Sequence, residues 1–198
     1  MAYITKAEVK TYLGVSATAT TDDDLLDDLI DKAQSSIETY TQRIFSASAD
    51  STRLYTVGVD TDGRYLYLDE DLADITSVTT DADATSPTTL TDETDYITIP
   101  RNTTPYIALV LMAGSNYTWT YTTDPELGVS VVGKFAYSET PPEDILHACT
   151  RLAGYFYRQK DSQVFDITAI PDAGVISIPQ GIPADVKRIL EPYRRRTY

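Results

Sequence analysis

Side chains that carry covalent or metal chemistry are scarce in this sequence. It holds one cysteine, Cys149, and one histidine, His147, among 198 residues. A lone cysteine excludes an internal disulfide, and without a second His or a paired Cys the usual zinc sets are missing. No Gly-x-Ser-x-Gly or comparable nucleophile pattern occurs, so hydrolases and metalloenzymes lose their usual parts. Cys149 sits among Ile145, Leu146, Ala148 and Leu152, which predicts a buried, inert thiol on a helix face. His147 is expected on a helix surface. Long apolar runs are lacking too: no stretch approaches the ~20 residues of a membrane span. The opening residues 1–8 have neither the basic start nor the apolar run of a signal peptide. The expectation is a soluble chain made in the cytoplasm, with no catalytic residue, cofactor or metal.

Basic residues are also few, with 16 Lys and Arg against 30 Asp and Glu, a net charge of −14. Their placement is uneven. Residues 1–150 hold 25 acidic and 8 basic residues (net −17), residues 151–198 hold 5 and 8 (net +3). An acidic body repels phosphate, which argues against clamping or reading nucleic acid. The basic end, closing with Arg194, Arg195 and Arg196, suits an acidic partner or phosphate; its plain alternative is a frayed solubilising tail. With 42% hydrophobic residues, the chain can bury one core plus an embellishment or small subdomain.

Helical signals open the chain. Thr5 and Glu8 fit a capping box, Val9, Tyr12 and Leu13 give an apolar face, and Gly14 suits a left-handed cap, predicting a helix over 6–13. Asp22, Asp23 and Asp24 then favour a helix start, one of them accepting from the orphan amides. Leu25, Leu26, Leu29, Ile30, Ala33, Ile37, Tyr40 and Ile44 recur at helical spacing, predicting a long helix over about 22–43. Three consecutive carboxylates cannot share one helix face, so capping and solvation outweigh a metal or acid–base site.

From Arg53 to Tyr137 the period changes to two. Runs at 64–69, 75–80, 96–99, 107–111, 117–121 and 129–132 are β-branched or aromatic, divided by Asp, Gly, Asn and Pro. Six or seven short antiparallel strands in a sandwich or barrel are expected. Asp60-Thr-Asp-Gly63 looks like half of a calcium loop but lacks its remaining ligands, and Asp-Gly is also an ordinary hairpin turn. Tyr117, Trp119 and Tyr121 alternate, which would put three rings on one strand face as a platform for sugars or bases; the competing reading is an aromatic core or subunit contact.

Pro142, Glu143 and Asp144 predict a third helix running to about Lys160, with Ile145, Cys149, Leu152 and Phe156 as its stripe. Ala148 and Ala153 permit close approach by the long helix. Residues 161–198 read as an extended arm with a short strand at 175–178 and a helix from Pro183, where Val186, Ile189 and Leu190 are weakly amphipathic and Pro192 is the stop. The class is therefore α+β: a small helical bundle (1–45 and 140–160), an inserted antiparallel β subdomain (53–137) and a C-terminal arm (161–198).

The order and spacing of several segments resemble the head-to-tail connector, or adaptor, proteins of tailed bacteriophages. The resemblance rests on Tyr3 to Gly14, the acidic start and long helix Asp22 to Tyr40 ending near Arg43-Ile-Phe45, Asp95-Tyr96 entering a strand, Val131 to Ser138 leading into Pro142 to Ala153, and Ile182 to Arg195. The β insertion is longer than in the smallest members. The resemblance implies a virion neck protein: a homo-oligomeric ring of about twelve copies beneath the portal protein, extending the DNA channel and carrying the next neck, stopper or tail-terminator protein. DNA would pass without specific binding, and no membrane would be involved. It further implies a portal-docking arm using Lys187, Arg188, Tyr193, Arg194, Arg195, Arg196 and Tyr198, and bundle or subunit packing through Leu29, Ala33, Ile37, Ile145, Cys149, Leu152 and Phe156. Other classes remain open: a different virion or tail component, a carbohydrate- or receptor-binding β module built on the Tyr117 to Tyr121 stripe, and a small enzyme with a carboxylate pair that no spacing identifies.

Overall fold

Thr5 begins the first helix as its capping box requires. Its hydroxyl accepts from the Glu8 amide while the Glu8 carboxylate accepts from the Thr5 amide at 2.6 Å. Helix α1 (Lys6–Leu13) ends at Gly14, whose φ of 72° is the left-handed cap that glycine adopts without a Cβ penalty. Helix α2 (Asp23–Thr41) buries Leu26, Ile30, Ala33, Ile37 and Thr41, one line at helical spacing. Leu25, Leu29 and Tyr40 are only half-buried, so the apolar face is narrower than the sequence pattern suggests, and the helix stops at Gln42 (φ 56°) before exposed Ile44. The computed structural model describes residues 2–162, 167–170, 174–177 and 181–195, with side chains up to Lys160 and from Gly181.

Two compact units emerge, one of residues 1–43 with 141–198 and one of 44–140. In the first, helix α3 (Glu143–Ser162) packs on both α1 and α2, and helix α4 (Ala184–Leu190) packs on α3. Ile145, Ala148, Cys149, Leu152 and Ala153 are fully buried along α3, and Val186 and Leu190 along α4. Gly154 lets α1 come close: a Cβ there would lie 3.0 Å from the Tyr12 ring.

The second unit is a sandwich of eight strands: β1 (Ser51–Tyr55), β2 (Thr61–Asp62), β3 (Tyr65–Leu72), β4 (Asp74–Thr80), β5 (Thr88–Leu90), β6 (Tyr96–Ile99), β7 (Tyr106–Leu111) and β8 (Val129–Lys134). They form two antiparallel sheets, ordered β1-β8-β4-β5 and β2-β3-β7-β6. Leu66, Leu68, Leu72, Leu109 and Leu111 from one and Tyr55, Val78, Leu90, Val129 and Val131 from the other join Tyr96, Trp119 and Phe135 in one apolar cluster. At the rim, Arg53 on β1 reaches Asp69 at 2.7 Å and Glu70 at 2.6 Å on β3, and Tyr55 donates to Asp69 at 2.8 Å. This clasp joins the two sheets and holds the Arg53 guanidinium over the Phe135 ring, 5.0 Å from its centre.

The run 117–121 is not a strand. Its backbone is captured from outside any ladder: Thr80 Oγ1 donates to Thr118 O at 3.0 Å, Asp81 N–H to Thr120 O at 3.0 Å, and Thr120 N–H to Thr80 Oγ1 at 3.1 Å. The Asp83 carboxylate then takes the amides of Thr122 and Asp124 at 2.9 and 2.8 Å, and that of Thr123 between them. With Thr118 O and both backbone groups of Thr120 engaged by Thr80 and Asp81, these groups are taken up outside a strand ladder.

The chain after α3 also differs from a free arm. A hairpin of β9 (Ile167–Ile170) and β10 (Gly174–Ser177) forms there. From Pro183 onward the segment is docked on its own bundle. Pro192 lies inside a closing 3₁₀ turn (Glu191–Tyr193) instead of ending α4 outright, and the Arg195 amide donates to Thr41 O at 2.8 Å.

Candidate functional site

The carboxylates at the start of α2 are distributed among neighbours, and none caps the helix. Asp22 makes no side-chain cap; it accepts from Tyr157 Oη at 2.6 Å and Lys160 Nζ at 2.9 Å, both on α3. These bonds hold its carboxyl below the usual Asp range. Asp23 pairs with Lys10, whose Nζ also donates to Ala19 O at 2.7 Å. Asp27 pairs with Lys6 at 2.7 Å. Consecutive residues point 100° apart on a helix, so Asp22 turns to α3 while Asp23 and Asp27 turn to α1. Among the described residues no three His, Cys, Asp or Glu side chains gather as a metal site would need. Asp60, the first acid of the loop that looks like half a calcium site, accepts the Thr56 amide at 2.7 Å and closes a turn. Gly63 (φ 58°) serves the two-residue connection between β2 and β3.

Trp119, Tyr117 and Tyr121 do not share a face. Trp119 is buried at 6% exposure, while Tyr117 and Tyr121 are 42% and 44% exposed. The indole Nε1 donates to Arg64 O at 2.9 Å. This removes the sugar-stacking platform: the central ring is a core residue. Tyr65 and Tyr67 on β3 are exposed as well, and their rings stack at 6.0 Å and 11°.

Cys149 is fully buried; burial, helped by the charge of Glu38, pushes its thiol up to about 12. Ala33, Ile37, Ile145 and Leu152 are buried with it inside the same unit, and Leu29 and Phe156 are half-buried, the Phe156 ring lying 4.7 Å below Lys32 Nζ. His147 is exposed.

The basic C-terminal residues divide into two groups. Lys187 and Arg188 are exposed on α4, without a partner among the described residues. Tyr193 and Arg194 are tied down: Tyr193 Oη donates to Asp144 at 3.2 Å, and the Arg194 guanidinium pairs with Glu191 at 3.3 Å and covers the Tyr40 ring at 5.4 Å. Tyr40 in turn donates to Glu191 at 2.8 Å, which lowers the Glu191 pKa. Arg196 and Tyr198 lie outside the described residues.

A cleft that sequence reading missed lies where α3 meets α4. It has a volume of about 180 Å³ and is lined by Tyr12, Arg151, Gly154, Tyr155, Arg158 and Asp185. A second hollow of about 370 Å³ shares Arg151 and Asp185 and adds Arg188. Arg151 pairs with Asp185, while Arg158 and Arg188 stay exposed and unpaired among the described residues. The sequence signal was there: Arg151 and Arg158 are spaced i, i+7 on one helix face.

The charge also divides by unit. Residues 44–140 hold 15 acids and 4 bases (net −11), and the helical unit holds 15 and 12 (net −3). The acidity therefore belongs mainly to the sandwich.

Residues 2–196 match the family model for head completion protein. Three solved structures share the fold. One, described as the neck of an empty gene transfer agent particle computed with C6 symmetry, aligns at a TM-score of 0.60 and 17% identity over 99% of this chain and 91% of that one. A virion of the native gene transfer agent particle aligns at 0.59 and 18% identity over 99% and 91%. The native particle's neck, computed with C12 symmetry, aligns at 0.55 and 18% identity over 97% and 88%. Comparison with curated proteins gives no significant match. The connector resemblance read from segment order agrees with the family match, and no helix among the described residues is long and apolar enough to cross a membrane. This chain belongs to the head completion protein family.

Proposed function

We propose that this chain is a structural component of the virion neck: a homo-oligomeric ring that docks on the portal, extends the DNA channel and carries the next neck or tail protein. The observation that carries this reading is the head completion protein match across residues 2–196. The C6 and C12 symmetries of the neck structures that share the fold support a ring of six-fold or twelve-fold order. The sandwich's net charge of −11 suits a conduit, because an acidic wall does not trap phosphates as a basic lining would. The role is structural and needs no catalytic group.

Portal docking is assigned to the basic C-terminal residues Lys187, Arg188, Arg194, Arg195 and Arg196 with Tyr193 and Tyr198. The docking element is less free than an arm, since its root is held by the Thr41 carbonyl and by Tyr193 on Asp144. Anchoring lowers the entropy lost on docking. Half-buried Leu29 and Phe156 are the bundle residues left to contribute to contacts between subunits.

The test is co-sedimentation with portal rings, wild type against Arg194→Glu/Arg195→Glu/Arg196→Glu. The triple reversal is expected to abolish attachment at low salt; attachment equal to wild type would remove the electrostatic part of the docking assignment. A truncation before α4 is a poor substitute, because it strips buried Val186 and Leu190 from the bundle.

A further inference from the structure

Many charges of the helical unit pair with one another, and two groups of exposed, unpaired charge are left among the described residues. On α2 the buried line is Leu26, Ile30, Ala33 and Ile37. At 100° per residue, Asp24, Asp28 and Asp31 fall roughly 130–170° from that line. All three are exposed and make no ion pair or hydrogen bond among the described residues. Helix α2 packs on α3, and its fully buried Ala33 and Ile37 belong to the same unit as the fully buried Ile145, Cys149 and Leu152 of α3. The acidic stripe therefore looks away from α3.

The basic cleft looks the other way. Gly154 and Arg158 lie roughly 140–180° around α3 from Ile145 and Cys149, on the side that receives Tyr12 and α4. Arg158, Arg151 and the neighbouring Arg188 line a concave, partly aromatic surface, whereas the stripe on α2 is a convex ridge of carboxylates. A concave basic face and a convex acidic one on opposite sides of one body make a head-to-tail contact, the kind that closes into a ring when the rotation permits.

We infer that the cleft of Arg151, Arg158 and Tyr155 receives the Asp24, Asp28 and Asp31 ridge of a neighbouring copy, and that this pairing is the electrostatic seam of the ring. The inference rests on the ring reading above and adds which faces meet. Bidentate arginine pairing with carboxylates gives the seam its register. Asp185, itself in the cleft lining, pairs with Arg151 and leaves Arg158 as the principal free cation there among the described residues.

The experiment exploits the asymmetry of such a contact. Variant one is Arg158→Glu, which leaves the Arg151–Asp185 pair between α3 and α4 intact, and variant two is Asp28→Lys/Asp31→Lys. Each keeps one face and reverses the other. Neither alters Lys187, Arg188 or the C-terminal arginines assigned to the portal. Collars formed on portal rings are counted by negative-stain imaging, with Cys149 protection checking that each variant is folded. Each variant alone is expected to lose collar occupancy by about tenfold or more, since like charges then meet at every seam. An equimolar mixture is expected to restore it, because alternating copies re-pair both faces. If wild type forms no collar, the ring reading falls and this inference with it. If wild type and both folded variants form collars equally, only the seam is wrong. If the variants fail and the mixture does not recover, these two faces do not meet.

Discussion

At the residue scale, Trp119 and Cys149 make opposite use of burial. Trp119 fills the sandwich core and spends its one donor on the Arg64 carbonyl. That carbonyl also accepts from the Leu111 amide, so losing the indole does not orphan it. Trp119→Phe is therefore expected to cost only about 1 kcal/mol, and Trp119→Ala about 3–5 kcal/mol, read from urea midpoints by circular dichroism. Indole emission should be blue-shifted and unchanged by added sugars; a saturable sugar titration would overturn the core assignment. Cys149, with its thiol pushed up to about 12, should react with a thiol reagent at pH 8 on the order of 10³-fold more slowly than a free thiol. Ellman kinetics in buffer and in denaturant test this. The thiol's fate was legible from its apolar neighbours. Trp119's was legible only as a choice, because alternation looks the same in a strand and in a pinned loop; what decided it was the hold of Thr80 and Asp81, about 40 residues away, on Thr118 and Thr120.

At the element scale, two glycines in tight places should answer differently to the same methyl group. At Gly133 in β8 an added Cβ would lie 2.2 Å from the Asp74 carbonyl oxygen, beside the register shift between β4 and β8 at Ile75 and Ser77. Backbone cannot step aside cheaply, so Gly133→Ala is expected to destabilise by about 1–3 kcal/mol. At Gly154 the obstacle is the ring of Tyr12, which is 45% exposed and free to swing. There the gain in helix propensity, about 1 kcal/mol, offsets the displacement, and Gly154→Ala should be near neutral. Thermal melts of both variants decide it; equal losses would contradict the reading of Tyr12. The ends of α1 were legible because Thr5, Glu8 and Gly14 are local signals. The docking of α4 was less so: Val186 and Leu190 are too few to show a face, and only the packing against α3 reveals one.

At the scale of the whole molecule, charge sets the response to pH and salt. Asp22, Glu191, Glu8 and Asp83 are all held below their ordinary values of 3.8 for Asp and 4.5 for Glu, each by hydrogen bonds to its carboxylate. A carboxyl with a lowered folded-state pKa contributes stability that is present above its ordinary value and lost as pH falls through the lowered one. Self-repulsion from a net −14 acts oppositely, weakening the fold towards neutral pH. Melting temperature should therefore rise from pH 7 to about 5 and fall below about 4, and added salt should raise it at pH 7 more than at pH 5. A monotonic fall from pH 7 would contradict this balance. The overall charge was legible at once, but its concentration on the sandwich was not, since it depends on which segments fold together. The same holds for the basic cleft, assembled from α1, α3 and α4.

The most direct test of the neck assignment is completion in vitro. Heads assembled without this protein are mixed with purified tails and then with the purified chain. Tail attachment that depends on the added chain, with a collar of its density at the head vertex, is the predicted result. Tails that attach equally well without it would contradict the account.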